Sequence, residues 1–237
     1  AMTNALYNRI EAIERFAADV AHELKNPLTS LRSAVETLPL AKTEKDRKRL
    51  ADIIQHDVRR LDRLISDISN ASRIDAELAR ENTETVHLGE LAAAIVSIQA
   101  DLAANRNVSV ELKIEDSKYA PLVKGHDTRL AQVFTNLIDN AVSFSPDRGT
   151  VTVRITTDAE NVVAQVEDQG PGLGDAEKVF QRFYTDRPEG ESFGDHSGLG
   201  LSISRQIAQA HQGTLDAGNQ SKATGAVFTL TLPRAKT

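Results

Sequence analysis

A histidine, a carboxylate and an amide lie close together in the segment FAADVAHELKNPLTSL, at His22, Glu23 and Asn26. Val20 and Leu24 flank the histidine two residues away on either side, about 200° around a helix from it. If these apolar residues face a core, His22 faces solvent and Asn26 shares its face. An imidazole accepts a phosphoryl group well when one ring nitrogen is free and the other is held, which Glu23 can do. The segment therefore indicates phosphoryl chemistry, and an ordinary exposed helical histidine is the alternative when it is taken alone.

Two asparagines lie four residues apart in NLIDNAVSFSP, at Asn136 and Asn140. This spacing places them on one face of a predicted helix. Neutral amide oxygens suit Mg²⁺ that phosphates already carry, because magnesium keeps most of its waters and takes few protein ligands. The alternative is a pair of solvated asparagines.

A carboxylate at the end of a predicted strand leads into a glycine-rich turn, EDQGPGLG, at Asp168. A carboxylate only accepts hydrogen bonds, so it can receive the exocyclic amine of adenine but would repel the carbonyl of guanine. Gly170, Gly172 and Gly174 let the backbone approach a nucleotide closely. The turn therefore favours ATP over GTP, and a simple strand-ending turn is the alternative.

A second glycine-rich turn, HSGLGLSIS, stands before a predicted helix, with Gly198 and Gly200 ahead of Leu201. Free amides and the helix dipole make such a turn an anion site, which we assign to the phosphates of the nucleotide. No GxxxxGK[ST] run occurs, and no GxGxxG follows a strand, so neither a P-loop nor a Rossmann site is supported.

Heptad-spaced apolar residues predict two long helices in the first third of the chain, joined by a hairpin near residues 39–45. A stutter in the spacing falls around Leu24, and Pro27 predicts a local bend there. Asp57 is the one misfit on the apolar seam of the second helix. One hairpin cannot bury so broad a stripe, so two hairpins are expected to close a dimeric four-helix bundle. Packing of the hairpin on the rest of its own chain is the alternative.

Residues 75–87 are polar and break this pattern, and we place the domain boundary near Asn82. The predicted domains are therefore 1–82, for dimerisation and phosphotransfer, and 83–237, for catalysis and nucleotide binding. Helices mixed with mainly antiparallel strands predict a two-layer α+β sandwich for the second domain. We expect helices at 88–104, 127–143 (with Asp127 or Thr128 as N-cap) and 197–212, and strands at 108–114, 122–123, 151–157, 161–168, 214–218 and 226–232.

Composition narrows the possible partners and sites. The 237 residues carry a net charge of −6, which argues against a nucleic-acid surface, and the absence of cysteine excludes disulfides and thiolate metal sites. No run of 18 apolar residues is present, so the sequence predicts no membrane span.

Five segments resemble, in order, the motifs of sensor histidine kinases of two-component systems. They are the H box around His22, the N box at 136–146, the first glycine box at 167–173, the F box VFQRFY at 179–184 and the second glycine box at 196–204. The resemblance extends across about residues 5–232. The residues of these motifs are also similar to those of the ChvG-type kinases, an alphaproteobacterial branch that responds to envelope and acid conditions.

The resemblance implies autophosphorylation of His22 by ATP and transfer of the phosphoryl group to an aspartate on the receiver domain of a response regulator. It also implies that Asn26 takes part in a phosphatase activity toward the regulator. The implied cofactors are ATP and Mg²⁺, with Asn140 as the direct metal ligand and Asn136 supporting the site. The implied fold is a helical hairpin followed by a sandwich of the histidine-kinase/Hsp90-like ATPase type. The expected nucleotide-binding residues are Asn136, Asn140, Asp168, Gly170, Gly172, Arg182, Tyr184, Ser197, Gly198, Leu199 and Gly200.

The sequence departs from the family pattern at two positions. Many members carry Lys or Arg where this chain has Ser143, and glycine is common where it has His196. Arg182 or Arg187 would then supply the missing charge. The polar stretch at 185–197 is expected to form a mobile lid over ATP, with its near end anchored by aromatic residues of the F box.

Two other functions compete with a homodimeric kinase. A chaperone- or gyrase-type ATPase would activate water with a glutamate where this chain has Asn136, and it would leave the His22 helix without a purpose. A degenerate scaffold that binds nucleotide is supported only by the departures at Ser143 and His196. The pattern leaves open whether His22 is phosphorylated in cis or in trans. We expect the chain to be the cytoplasmic portion of an inner-membrane protein, with membrane contact only through segments outside this sequence.

Overall fold

The computed structural model describes residues 2–78, 83–184, 197–221 and 224–236, which form two compact units. One contains the helical hairpin, and the other contains the strands together with the three later α-helices. Asn82 lies outside the described residues, so the division into 1–82 and 83–237 stays a prediction.

The helical unit is a hairpin of two long helices, α1 (Met2–Thr37) and α2 (Glu44–Leu78), with a 3₁₀ turn at Leu38–Leu40. The predicted hairpin near residues 39–45 is confirmed. Thr43 Oγ1 accepts the Asp46 backbone N–H at 3.1 Å, which satisfies one of the free amides at the start of α2. Helix α1 continues through Pro27, and the expected bend there stays a prediction.

The core of the hairpin is small. Ala34 is 5% exposed and Leu64 is fully buried. Among the described side chains of the hairpin, four large apolar residues on the predicted stripe remain exposed. They are Leu28, Val35, Val58 and Ile65, with exposed fractions of 44–58%. A single hairpin therefore leaves much of its apolar stripe in contact with water, as the breadth of the pattern predicts.

The elements of the second unit are β1 (Glu84–His87), α3 (Leu88–Ala104), β2 (Ser109–Ile114), β3 (Leu122–Gly125), α4 (Asp127–Phe144), β4 (Thr150–Thr157), β5 (Asn161–Glu167), α5 (Gly200–Ala210), β6 (Thr214–Asn219) and β7 (Ala226–Pro233). Its main sheet has the order β2-β4-β5-β7-β6, in which β2 and β4 are parallel and the other neighbouring pairs are antiparallel. Two further strands, β1 and β3, pair antiparallel with each other. A short 3₁₀ turn lies at Lys178–Phe180.

The helices and the sheet form the two layers that the sequence predicts. Alternate residues of β4, β5 and β7 are buried, which gives the sheet one core-facing side. Phe134 of α4 and Phe228 of β7 are fully buried in this core. The mainly antiparallel α+β sandwich is therefore confirmed.

Several predicted element boundaries were wrong. Helix α2 continues to Leu78, and the segment expected to be a polar linker contains β1, which buries only Val86 deeply. Because β1 buries one residue deeply, its sequence does not show the alternation of apolar and polar residues that predicts a strand. Its partner strand, β3, lies far from it in the sequence. Helix α5 begins at Gly200 and ends at Ala210 rather than spanning 197–212.

The predicted cap of α4 was also wrong. His126 is the N-cap and makes no side-chain capping bond, while Asp127 is already the first helical residue. The Asp127 carboxylate instead accepts the Thr128 backbone N–H at 2.5 Å.

Across the described residues, no helix combines the length and the hydropathy that crossing a bilayer requires.

Candidate functional site

His22 lies on the solvent side of α1, as its spacing predicts, with 74% of its side chain exposed. Its Nδ1 atom is 4.0 Å from Oε1 of Glu23. This distance exceeds that of a hydrogen bond, so the carboxylate faces the ring without binding it. The ring is accessible to an incoming phosphoryl group, and one carboxylate oxygen is already directed at one of its nitrogens.

The second oxygen of Glu23 is held by the other helix. Arg60 Nη2 donates to Glu23 Oε2 at 3.1 Å, and the two side chains are only 18% and 22% exposed. Sequence reasoning missed Arg60. The available signal was a cation one turn after Asp57, near the apolar seam of α2.

Asn26 is exposed one helical turn after His22, as the sequence predicts. It borders an open groove of about 630 Å³ between α1 and α2, which also contains the buried Pro27 and the groups of Asp57 and Arg60. Asn26 is therefore accessible from solvent beside a concave surface.

Asp168 is 2% exposed and lies directly after β5. Its Oδ1 atom accepts the backbone N–H groups of Gly170, at 2.8 Å, and Ala226, at 3.1 Å. Burial raises the pKa of this carboxyl, and the two backbone hydrogen bonds oppose that rise. The carboxylate is therefore rigidly placed, with Oδ1 engaged by the protein.

The hairpin between β6 and β7 holds the turn after Asp168 in place. Gln220 Nε2 donates to the Asp168 carbonyl, at 2.6 Å, and Asn219 Oδ1 accepts the Leu173 N–H at the same distance. Gly172 has φ +86°, and a Cβ there would lie 2.6 Å from Asn219 Oδ1. Sequence reasoning did not find the two hairpin residues, because they lie about fifty residues from the turn they support.

The two asparagines of α4 have different surroundings. Asn136 donates from Nδ2 to the carbonyl of Gly200 and to Ser204 Oγ, both at 3.1 Å. Asn140 is half-buried on the same helix. Asn136 thus joins α4 to the first turn of α5.

The second glycine turn leads into α5 at Gly200. Gly198 has φ +71°, and a Cβ there would lie 2.7 Å from Phe183 Cα. The Gly198 carbonyl accepts the Phe183 N–H at 2.8 Å. Ser197 is half-buried, and the Leu199 side chain is fully buried. Any contact from Leu199 to a phosphate must therefore come from its backbone.

The F box packs into the core and against α5. Phe180 is buried edge-on against Phe228, with ring centroids 6.3 Å apart, and the Arg205 guanidinium lies 4.2 Å from its ring centroid. Arg205 also donates to both carboxylate oxygens of Glu177. This ion pair lowers the pKa of the Glu177 carboxyl. The anchoring expected of the F box is thus a core contact for Phe180.

Three further predicted positions, Ser143, Arg182 and Tyr184, belong to the described residues. Arg182 is exposed and Tyr184 is half-buried. The Ser143 Oγ atom is buried and has no hydrogen-bond partner among the described residues. Residues 185–196 of the predicted lid, among them Arg187 and His196, lie outside the described residues.

Family models match both units of the chain. One described as the His Kinase A (phospho-acceptor) domain matches residues 12–77, which contain His22. Another, described as a histidine kinase-, DNA gyrase B- and HSP90-like ATPase, matches residues 125–236. The chain belongs to the sensor histidine kinases. The nucleotide-binding positions predicted for this kinase all fall within the second matched region.

Relatives of this histidine kinase support the narrower ChvG-type resemblance. Sensor protein ChvG of Rhizobium meliloti strain 1021 is 56% identical over 243 residues, covering 98% of this chain and 42% of its own length. Its namesake from Agrobacterium fabrum strain C58 is 55% identical over 247 residues, covering 100% of this chain and 41% of its own length. The kinase chain described here therefore spans about two fifths of these relatives.

Solved structures confirm the predicted fold class. Histidine kinase ThkA, in complex with response regulator protein TrrA, aligns with a TM-score of 0.74 at 24% identity over 96% of this chain and 64% of that one. Histidine kinase AdeS of Acinetobacter baumannii aligns with a TM-score of 0.67 at 22% identity, over 91% of this chain and 98% of that one. A helical hairpin followed by an ATPase-type sandwich is thus the shared architecture.

Proposed function

We propose that this chain transfers the γ-phosphoryl group of ATP to His22 and then to an aspartate on the receiver domain of a response regulator. The observation that carries this proposal is the exposed His22 ring with Oε1 of Glu23 directed at Nδ1. The family membership supports ATP as the phosphoryl donor.

In the first step, His22 Nε2 attacks the γ-phosphorus in line. An N–P bond forms, the P–O bond to the β-phosphate breaks, and ADP leaves with the electron pair. Glu23 receives a hydrogen bond from Nδ1–H, which fixes the tautomer and stabilises the charge that develops on the ring. In the second step, the N–P bond breaks as an aspartate oxygen of the regulator attacks the same phosphorus.

The residues of the second unit fit a Mg²⁺-bound adenine nucleotide. Asp168 accepts the adenine amine through the oxygen that its backbone bonds leave available. The amides of the turn at 198–200 precede α5 and would bind the phosphates. Asn140 offers a neutral oxygen to Mg²⁺, which neutralises phosphate charge when bound.

A homodimer fits the exposed stripe of the hairpin. Leu28, Val35, Val58 and Ile65 repeat along the two helices and would be buried by a second copy in a four-helix bundle. Light scattering of the purified chain tests this, and a monomer at micromolar concentration would contradict it.

Asn26 supports a second activity, the hydrolysis of the regulator's aspartyl phosphate. We expect the receiver domain to dock on the helical hairpin near His22. The exposed Asn26 amide borders the groove between α1 and α2 and would orient the attacking water. Asn26→Ala is expected to slow regulator dephosphorylation and to spare autophosphorylation. Unchanged dephosphorylation would exclude this role. The proposed location is the cytoplasmic side of an inner membrane.

The test of the kinase proposal is incubation with γ-labelled ATP and Mg²⁺, beside His22→Gln. Label that acid removes, alkali retains and the variant lacks would establish His22 as the acceptor. His56→Gln is the matched control and is expected to retain the label. ATP bound without label would indicate the scaffold, and release of phosphate without a labelled protein would indicate a gyrase-type ATPase.

A further inference from the structure

The hairpin contains a carboxylate oxygen and a guanidinium nitrogen that are both buried and without a hydrogen-bond partner among the described residues. The guanidinium belongs to Arg60, which contacts Glu23 next to His22. Asp57 is 6% exposed and Arg60 is largely buried. Within the described part of the chain, neither Oδ2 of Asp57 nor Nε of Arg60 has a hydrogen-bond partner. Leaving such groups unpaired inside a protein is unfavourable, so the arrangement favours any rearrangement that joins them.

The two residues lie one helical turn apart on α2. Side chains at i and i+3 share a helix face and reach each other, so the Arg60 guanidinium can bond to Asp57 by rotating its side chain. It is at present bonded across the hairpin to Oε2 of Glu23, at 3.1 Å. Arg60 therefore has two carboxylates within reach and is bonded to only one of them.

We propose that Arg60 is a positioning residue that exchanges between Glu23 and Asp57 and thereby controls whether Glu23 is available to His22. This inference rests on the proposed function. While Arg60 holds Glu23, the carboxylate stays 4.0 Å from Nδ1 of His22, too far for a hydrogen bond. When Arg60 turns to Asp57, Glu23 can approach Nδ1 and both unpaired atoms on α2 gain a partner.

The groups around Asp57 leave one of its carboxylate oxygens available to Arg60. His56 Nδ1 lies 3.4 Å from Oδ1 of Asp57 and leaves Oδ2 to another donor. The titratable and charged groups facing this part of the hairpin are His22 and Glu23 from α1, and Arg49, Asp52, His56, Asp57, Arg59 and Arg60 from α2.

Variants at both ends of the exchange test it through the rate of His22 phosphorylation. Arg60→Gln frees Glu23 permanently, so kcat is expected to rise, whereas structural damage would lower it. Asp57→Asn weakens the alternative partner and is expected to lower kcat on the order of tenfold. Both variants are expected to keep the KM for ATP, because neither residue belongs to the nucleotide site.

The double variant supplies the decisive comparison. If Asp57 acts only through Arg60, Asp57→Asn has no further effect in the Arg60→Gln background, and kcat equals that of Arg60→Gln. Arg60→Lys keeps the charge and is expected to restore kcat toward the wild-type value and to restore dependence on Asp57. The exchange would be overturned if Asp57→Asn lowered kcat as much in the Arg60→Gln background as in the wild type, or if Arg60→Gln alone lowered kcat.

Matched controls use the same chemical changes at exposed positions of the same groove. Arg59→Gln and Asp52→Asn are expected to leave kcat unchanged, and a change like that of the buried variants would assign the effects to groove charge instead. Thermal unfolding and light scattering of each variant report its fold and dimer. Absence of acid-labile label in every protein, with ATP bound, would overturn the proposed function, whereas label in wild type with unchanged kcat in all variants would overturn this inference alone.

Discussion

Asn136 of α4 donates its side-chain amide to the backbone carbonyl of Gly200, 3.1 Å away, and so ties the helix expected to carry the metal ligand to the turn expected to carry the phosphates. The same nitrogen donates to Ser204 Oγ. The two ends of the proposed triphosphate site are thus fixed to each other by one side chain rather than by a long backbone path.

Asn136→Ala is expected to lower the free energy of unfolding by about 1–2 kcal/mol, because two acceptors on α5 lose their donor. ATP binding weakens with it. Asn140→Ala is the matched control. It is expected to change stability by less than about 0.5 kcal/mol while weakening Mg²⁺-dependent ATP binding. Thermal unfolding and calorimetric titration measure the two effects, and equal stability of both variants would contradict the structural role of Asn136.

The contrast between local and distant contacts explains how much the sequence revealed. Helices α3 and α4 were predicted within a residue at each end because their apolar periodicity is local. The bond from Arg60 to Glu23 joins residues 37 apart, and that from Gln220 to Asp168 joins residues 52 apart. No local spacing encodes either pair, so sequence reasoning could propose the residues that carry the chemistry but not the distant groups that contact them.

Asp168→Asn is expected to separate stability from binding. Burial raises the pKa of the Asp168 carboxyl, so the folded state binds its proton more tightly than the unfolded state does. The stability from this group is present below the ordinary pKa of 3.8 and is lost as pH rises through the folded value. At neutral pH the variant is therefore expected to unfold at the same temperature as wild type or higher.

ATP affinity is expected to fall in this variant by about tenfold to a hundredfold, because the amide nitrogen presents donors to the adenine amine. In the wild type, ATP affinity is expected to decline on acidification once the carboxyl takes up its proton. Titration of ATP across pH for both proteins tests the assignment. A wild-type affinity that does not depend on pH, with no loss in Asp168→Asn, would remove Asp168 from the adenine site.

His211 is expected to make the protein sensitive to acid. Its Nδ1 donates to the Ile207 carbonyl at 2.8 Å, and its Nε2 accepts the His126 backbone N–H at 3.1 Å. Burial lowers the pKa of His211, and nearby His126 adds to that effect. Its contribution to stability is thus present above the ordinary value of 6.5 and is lost as pH falls through the lower folded value.

The free energy of unfolding is accordingly expected to fall with acidification by up to about 1.4 kcal/mol per pH unit from this one group. His211→Gln, which retains an acceptor for the His126 amide, is expected to be less stable at neutral pH but less steeply dependent on pH. His22→Gln removes a histidine at an exposed position and is measured beside it as the control. Denaturant unfolding at a series of pH values decides between them, and identical slopes for all three proteins would rule out His211 as the source.

Gly225 is a described glycine at which an added side chain is expected to be costly. Its φ is +127°, and a Cβ there would lie 1.9 Å from the Asp168 carbonyl oxygen. Gly225→Ala must therefore displace the turn that aligns the Asp168 carboxylate, and we expect a loss of more than about 2 kcal/mol in the free energy of unfolding together with weaker ATP binding. Gly218→Ala lies in the preceding strand, where a Cβ would meet no atom within 4 Å. That control is expected to stay within about 0.5 kcal/mol of wild type. Since both variants add one methyl group to the same hairpin, equal stabilities would show that the Asp168 turn does not depend on the close approach of Gly225.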